Sequence, residues 1–254
     1  MRTRLLNLTV VVAVAVGASA WAADVVAPAA PAAPAVTPAA AADKPAQPAP
    51  ATPAGEGALE RLPNGDIRLG KITLHREAGE LSFPAVLNLD AGVLEVLIAT
   101  PIGRLHESLL RTEASAFHLQ TLLYLIGLKN GPRLPDAEGR QGDRVNLDIE
   151  WQRADGTAVR EPIEQWIWND KTSATMQRIG WVFVGSKMGD GKFLADVEGN
   201  LALTYSVGST VLDLPDATGD DDTVYVVNTK KKEPAKDAAV RVIVKPVPKA
   251  PKAP

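Results

Sequence analysis

The chain has 254 residues, 27 Lys and Arg against 30 Asp and Glu, and a formal net charge of −3; hydrophobic residues make up 46% of it. It contains no cysteine, which excludes a disulfide scaffold, a thiolate nucleophile, an iron–sulfur cluster, a zinc–thiolate site and a lipidated cysteine. With its low-complexity ends set aside about 170 residues remain, enough for one domain that folds on its own core.

Arg2 and Arg4 precede an apolar run from Leu5 to Val16 and the small-residue stretch Gly17-Ala18-Ser19-Ala20-Trp21-Ala22-Ala23. A basic start, an apolar middle and small residues at the end mark a secretory signal peptide, so residues 1–22 are expected to be removed on export to the periplasm or the exterior. The alternative is an N-terminal membrane anchor, which asks for a longer apolar run of roughly 20 residues. Residues 23–56 are dominated by Ala, Pro, Val and Thr, with eight prolines from Pro28 to Pro53. Proline fixes φ and lacks the amide donor, so this segment is expected to be a disordered, semi-extended spacer.

The folded region is expected over 57–229. Asn64-Gly65-Asp66 reads as a turn, after which Ile67, Leu69, Ile72 and Leu74 alternate until Ala78-Gly79-Glu80 turns the chain back into Leu81 to Leu89. Val93 to Leu110 reads as a second hairpin, hinged at Thr100-Pro101-Ile102-Gly103, whose proline and glycine suit a type I turn. Thr112 is placed to cap a helix over about 113–128 that ends at Lys129-Asn130-Gly131-Pro132.

Beyond it, Val145, Leu147, Ile149 and Trp151 alternate along 144–153, and Ala154-Asp155-Gly156 turns that strand into the next. Strands are also read at 161–169, 181–186, 193–196, 201–207 and 224–228. The expected class is α+β: a predominantly antiparallel β-sheet domain with one main packed helix, flanked by disordered ends. From Lys230 to Pro254 eight basic residues stand against Glu233 and Asp237, a charge of +6 that leaves −9 on the rest. This reads as a solvated basic tail able to meet an anionic surface, in which Val240 to Lys245 alternates enough to add to an exposed sheet edge.

The run Gly103-Arg104-Leu105-His106-Glu107-Ser108-Leu109-Leu110, the helix with His118-Leu119 and Leu122-Leu123, and the later Gly180 to Ser186 with Ala195-Asp196 and Gly199 resemble the YdjY-type family of exported bacterial proteins. The resemblance spans roughly 65–228. It implies an exported module and carries no assigned biochemical activity.

Candidate site residues therefore come from side-chain chemistry. His106 and His118, with Glu107 or Asp196 as carboxylate, form a mixed imidazole and carboxylate set of the kind a divalent metal accepts, although no zincin spacing is present. The competing reading makes His118 a core histidine that faces inward. His106 as base and Ser108 as nucleophile would adjoin on one strand face, but no nucleophile elbow or orienting acid accompanies them. Trp166 and Trp168, two apart on a strand with Glu161, Glu164 and Asp170 nearby, could stack on a sugar, against the plainer reading of core packing. The acidic runs Asp216 with Asp220 to Asp222 and Gly189-Asp190-Gly191 with Asp196, Glu198 and Asn200 lack the ligand order of a calcium loop. An acidic body and export weigh against nucleic acid. The expectation is an accessory or binding module of the cell envelope, facing an envelope protein or polymer, with no cofactor beyond a divalent metal and no complete catalytic constellation.

Overall fold

The computed structural model describes residues 57–133, 140–215 and 217–248; the expected signal peptide and spacer lie outside them. Strands β1 (Leu59–Arg61), β2 (Ile67–Leu69), β3 (Ile72–His75) and β4 (Glu80–Leu87) form an antiparallel meander. Its alternation follows the predicted one. Leu69, Ile72, Leu74, Leu81 and Phe83 are buried, while Asp66, His75, Glu80 and Ser82 fall on the opposite, outward face.

The expected second hairpin is not one. β5 (Val96–Ala99) and β6 (Ser108–Arg111) pair in parallel, Val96 opposite Ser108 and Ile98 opposite Leu110. The turn at Thr100–Gly103 does form, with the Gly103 amide donating to Thr100 at 2.9 Å. A 3-10 turn at Leu105–Glu107 then sends the chain back in its original direction. The Asn88 amide holds this crossover by donating to the carbonyls of Leu105 and Ser108, at 2.6 and 2.8 Å.

The main helix, α1 (Ala116–Leu125), starts later and ends earlier than expected. Thr112 cannot cap it because its hydroxyl donates to Pro84 and accepts from the Ala114 amide; Ser115 is the N-cap and accepts from the His118 amide. The expected stop signal at Lys129 to Pro132 instead opens β7 (Asn130–Arg133), which pairs with β8 (Arg140–Gly142). β9 (Arg144–Gln152) and β10 (Ala158–Pro162) form the predicted hairpin. A 3-10 turn at Ile163–Trp166 leads to β11 (Ile167–Asn169), β12 (Ala174–Thr175) and β13 (Trp181–Phe183).

The glycine turn at 189–191 joins β14 (Met188–Gly189) to β15 (Lys192–Phe193). The strand expected over 193–196 gives way to a short helix, α2 (Leu194–Glu198), ended by Gly199 at φ 74, a left-handed conformation that glycine adopts without penalty. β16 (Asn200–Leu203), β17 (Leu212–Asp213), β18 (Tyr225–Val227) and β19 (Ala239–Pro246) complete the order.

β4, β19, β9, β13, β17, β16, β5 and β6 are hydrogen-bonded in that sequence, and β6 pairs back onto β4. Eight strands thus close into a barrel around a main apolar core that includes Phe83, Ile98, Leu147, Ile149, Trp181 and Leu212, with a smaller cluster of Val96, Ala99 and Leu203. Only the neighbouring pairs β5–β6 and β16–β17 are parallel. The β-rich, mainly antiparallel character is the predicted one; closure is a finding, because it depends on pairings as distant as Leu81 with Val244.

The boundary at 229 is corrected by the same pairing. β19 lies between β4 and β9, with Val240, Val242 and Val244 buried. Residues 239–246 are therefore an interior stave of the barrel and not an edge addition or a solvated tail. Among the described residues no helix is long and apolar enough to cross a membrane.

Candidate functional site

The predicted site residues are dispersed. His106 sits on the 3-10 turn between β5 and β6 with its side chain 78% exposed, its Nε2 3.6 Å from Glu107. Glu107 is largely enclosed and paired with Arg104 at 2.7 Å; Arg104 also pairs with Glu95. Burial pushes the Glu107 carboxyl above its ordinary pKa, and the Glu95 charge adds to this, while Arg104 opposes it. His118 is half-buried on α1 and its ring lines a separate shallow cleft with Lys71, Glu113 and Ser115. It does not face the core as expected, since the buried side of α1 is Ala116, Leu119, Gln120, Leu122 and Leu123.

Asp196 has a different job. Its Oδ1 accepts from the Ala116 amide at 2.6 Å, and its Oδ2 accepts from the Ser115 hydroxyl at 2.9 Å and the Phe117 amide at 3.2 Å. A carboxylate there satisfies orphan amides at the start of α1 and complements the helix dipole. Among the described residues no three His, Asp or Glu side chains are gathered as a metal-ligand set, so His106, Glu107, His118 and Asp196 do not form one centre.

Ser108 is fully buried and its hydroxyl donates to the Arg104 carbonyl, so it is committed to the crossover. The two tryptophans do not share a strand face. Trp166 belongs to the 3-10 turn, is buried, and meets Trp151 edge-on at 5.5 Å. Trp168 is on β11 and is covered by Lys230, whose ammonium lies 3.8 Å from the ring centroid. Lys231 lies over Trp166 at 4.8 Å and bonds Glu161 at 2.5 Å. The platform expected to take a sugar is occupied by the protein's own lysines. Those lysines, with Arg241 on Glu150, are also basic residues drawn out of the supposed tail into the fold.

A site that the sequence reading passed over lies on the outer wall of the barrel. A cleft of about 630 Å³ is lined by residues of the β2–β4 meander, among them Asp66, His75, Arg76, Glu77 and Glu80, and by Glu150 and Arg241. At its wall His75 bridges two partners, Asp66 in the lining and Ser82 outside it: Nδ1 is 2.9 Å from Asp66 Oδ2 and Nε2 is 2.7 Å from Ser82 Oγ. Ionised Asp66 can only accept, so Nδ1 carries the hydrogen, and neutral His75 then accepts from the Ser82 hydroxyl at Nε2.

The register explains the meeting. Ile67 pairs with Leu74, which brings Asp66 alongside His75; His75 is opposite Glu80 and Thr73 is opposite Ser82, which makes Ser82 the diagonal neighbour of His75 on one face. Asp66 is fixed further by the Arg76 amide at 3.1 Å and the Asn64 side chain at 2.9 Å. The hydrogen bond from His75, with those from Arg76 and Asn64, holds the Asp66 carboxyl below its ordinary pKa against the opposing effect of desolvation.

The charges around the relay divide into two kinds. Glu80 is paired with Arg160, which also holds Asp148, and Arg241 is paired with Glu150. Arg76 and Glu77 are exposed on the rim and have no ion-pair partner among the described residues. Among the described residues the cleft therefore offers one free cation and one free anion beside a fixed Asp–His pair. The sequence signal that could have found it was the outward register of Asp66, His75 and Ser82, three polar residues on alternating positions of adjacent strands.

Compared with family models, curated proteins and solved structures, the chain matches none of them.

Proposed function

We propose that this chain is an exported binding module of the cell envelope whose barrel-wall cleft takes a small zwitterionic ligand such as a short peptide. The observation that carries the reading is the cleft with Arg76 and Glu77 on its rim, unpaired among the described residues, and Asp66 and His75 locked at its wall. A ligand carboxylate suits Arg76, a ligand ammonium suits Glu77, and a fixed hydrogen-bonding pair orients what lies between. The basic, apolar and small-residue order of the N-terminus, the Pro/Ala-rich spacer and the lack of cysteine support export and a cysteine-free envelope role. Membership of the YdjY-type family belongs to the same proposal. Its support is that two of the signature glycines meet: a Cβ on Gly103 would lie 2.8 Å from the Gly199 carbonyl oxygen.

Calorimetric titration tests this with tri-alanine beside its N-acetylated, C-amidated form, which lacks both charges. The reading expects tri-alanine to bind, the blocked form to bind at least tenfold more weakly, and Arg76→Gln to weaken tri-alanine by about tenfold, some 1.4 kcal/mol. Equal affinity for the two peptides, or none for either, contradicts it.

A further inference from the structure

The Asp66–His75–Ser82 chain has the order of a nucleophilic relay: carboxylate to Nδ1, and Nε2 to a serine hydroxyl, at 2.9 and 2.7 Å. Resting on the reading of the cleft as the ligand site, we propose that Ser82 is a nucleophile that cleaves acyl esters bound there, with His75 as its base and Asp66 as the residue that positions His75. Three observations converge on it. First, both contacts are at hydrogen-bonding distance, which is the geometry a base and its orienting acid require. Second, the Asp66 and His75 end of the relay lines a cleft large enough for a small acyl ligand, while Ser82 lies outside that lining and is reached through His75. Third, a cation flanks the serine on its other side. Ile243 is opposite Ser82, and Arg241, two residues along on the same outward face, lines the same cleft. Its guanidinium is paired with Glu150, and the proposal has it turn from that carboxylate to the negative charge developing on an acyl oxygen.

The balanced reaction uses water as its second reactant. Ser82 Oγ forms a bond to the acyl carbon and its proton passes to His75 Nε2. The ester C–O bond breaks, and the leaving alkoxide takes that proton and departs as an alcohol. Water then adds to the acyl carbon, giving a proton to His75; the carboxylic acid leaves and Ser82 regains its hydrogen. Ser82 is only 5% exposed, so the acyl group has to approach along the face that His75 presents to the cleft, which limits substrates to small, unbranched acyl groups.

The test is covalent labelling of the full chain with a small alkyl fluorophosphonate, read by peptide mass spectrometry, with tri-alanine titration run on the same wild-type preparation. The proposal expects the label on Ser82, its absence in Ser82→Ala, and at least a hundredfold slower labelling in His75→Gln. For Asp66→Asn it expects slower labelling together with loss of the Nδ1–H tautomer from the ring nitrogen spectrum of His75, a signature that a purely structural role for Asp66 would not tie to reactivity. Melting curves show which variants fold; if His75→Gln does not, Asp66→Asn carries the comparison. Folded wild-type protein that leaves Ser82 unlabelled, or labels it at a rate indifferent to His75 and Asp66, overturns the proposal. An unlabelled Ser82 in protein that binds tri-alanine removes the chemistry and leaves the binding reading standing; a labelled Ser82 without tri-alanine binding does the reverse.

Discussion

Glu164 is 1% exposed, and its carboxylate oxygens, like the indole N–H groups of Trp166 and Trp181, lack a well-formed hydrogen-bond partner among the described residues. Desolvation raises its pKa above the ordinary value, partly offset by the Arg178 charge and the Trp181 side chain. A carboxyl whose folded pKa is raised contributes fully below its unfolded value, and the contribution is lost as pH rises through the folded one. Glu164→Gln should therefore melt close to wild type in mild acid and increasingly above it toward pH 8, by about 1–3 kcal/mol, the cost of an uncompensated buried polar group. Melting temperature against pH for the two proteins checks this, and a constant gap would contradict it. At this scale the sequence was a poor guide to which polar residues matter. Asp66, His75 and Ser82 carry no motif and come together only through strand register, whereas His106 stood out by type and turned out to sit exposed beside a single carboxylate.

The elements were more legible than their partners. Alternation located β2, β3, β4 and β9 because each buries one face, and that periodicity is local. The start of α1 was displaced because the group that completes its cap, Asp196, is 80 residues from the Ala116 amide it accepts from, beyond the reach of any capping pattern. Asp196→Ala should cost about 1–2 kcal/mol, with Asp196→Asn recovering part of it, in denaturant unfolding; an unchanged midpoint would remove Asp196 from this role. The β5–β6 crossover is indistinguishable from a hairpin in sequence because a Pro-Gly turn looks the same whether or not the strands beyond it pair antiparallel. What fixes the crossover is close packing. Gly103→Ala would drive a Cβ to 2.8 Å from the Gly199 carbonyl oxygen and 3.1 Å from the Ala99 Cβ, both rigid neighbours. A loss of about 1–3 kcal/mol is expected by thermal unfolding, and a neutral substitution would show that the two glycines are not in contact.

At the scale of the whole molecule, the last strand closes the barrel, and composition alone had assigned it to a solvated end. Its lysine-rich approach hid the Val240, Val242 and Val244 stripe, and the lysines themselves are spent on Trp168, Trp166 and Glu161, which dock the segment that leads into β19. Removing residues 238–254 would open β4 and β9 to solvent along their full pairing with β19 and expose a buried apolar face, so the truncated chain should lose its cooperative melting transition. A truncated protein that melts like the full one would mean that the barrel does not need this strand. The same strand brings Arg241 to the cleft, so barrel closure and the candidate site depend on one segment. The most direct test of the account is amide chemical-shift mapping of tri-alanine on the full chain. Perturbations confined to residues 64–67, 75–82, Glu150 and 241–243 are predicted; perturbations centred on Arg104 to Glu107 or on α1, or none at saturating peptide, would contradict the placement of the site.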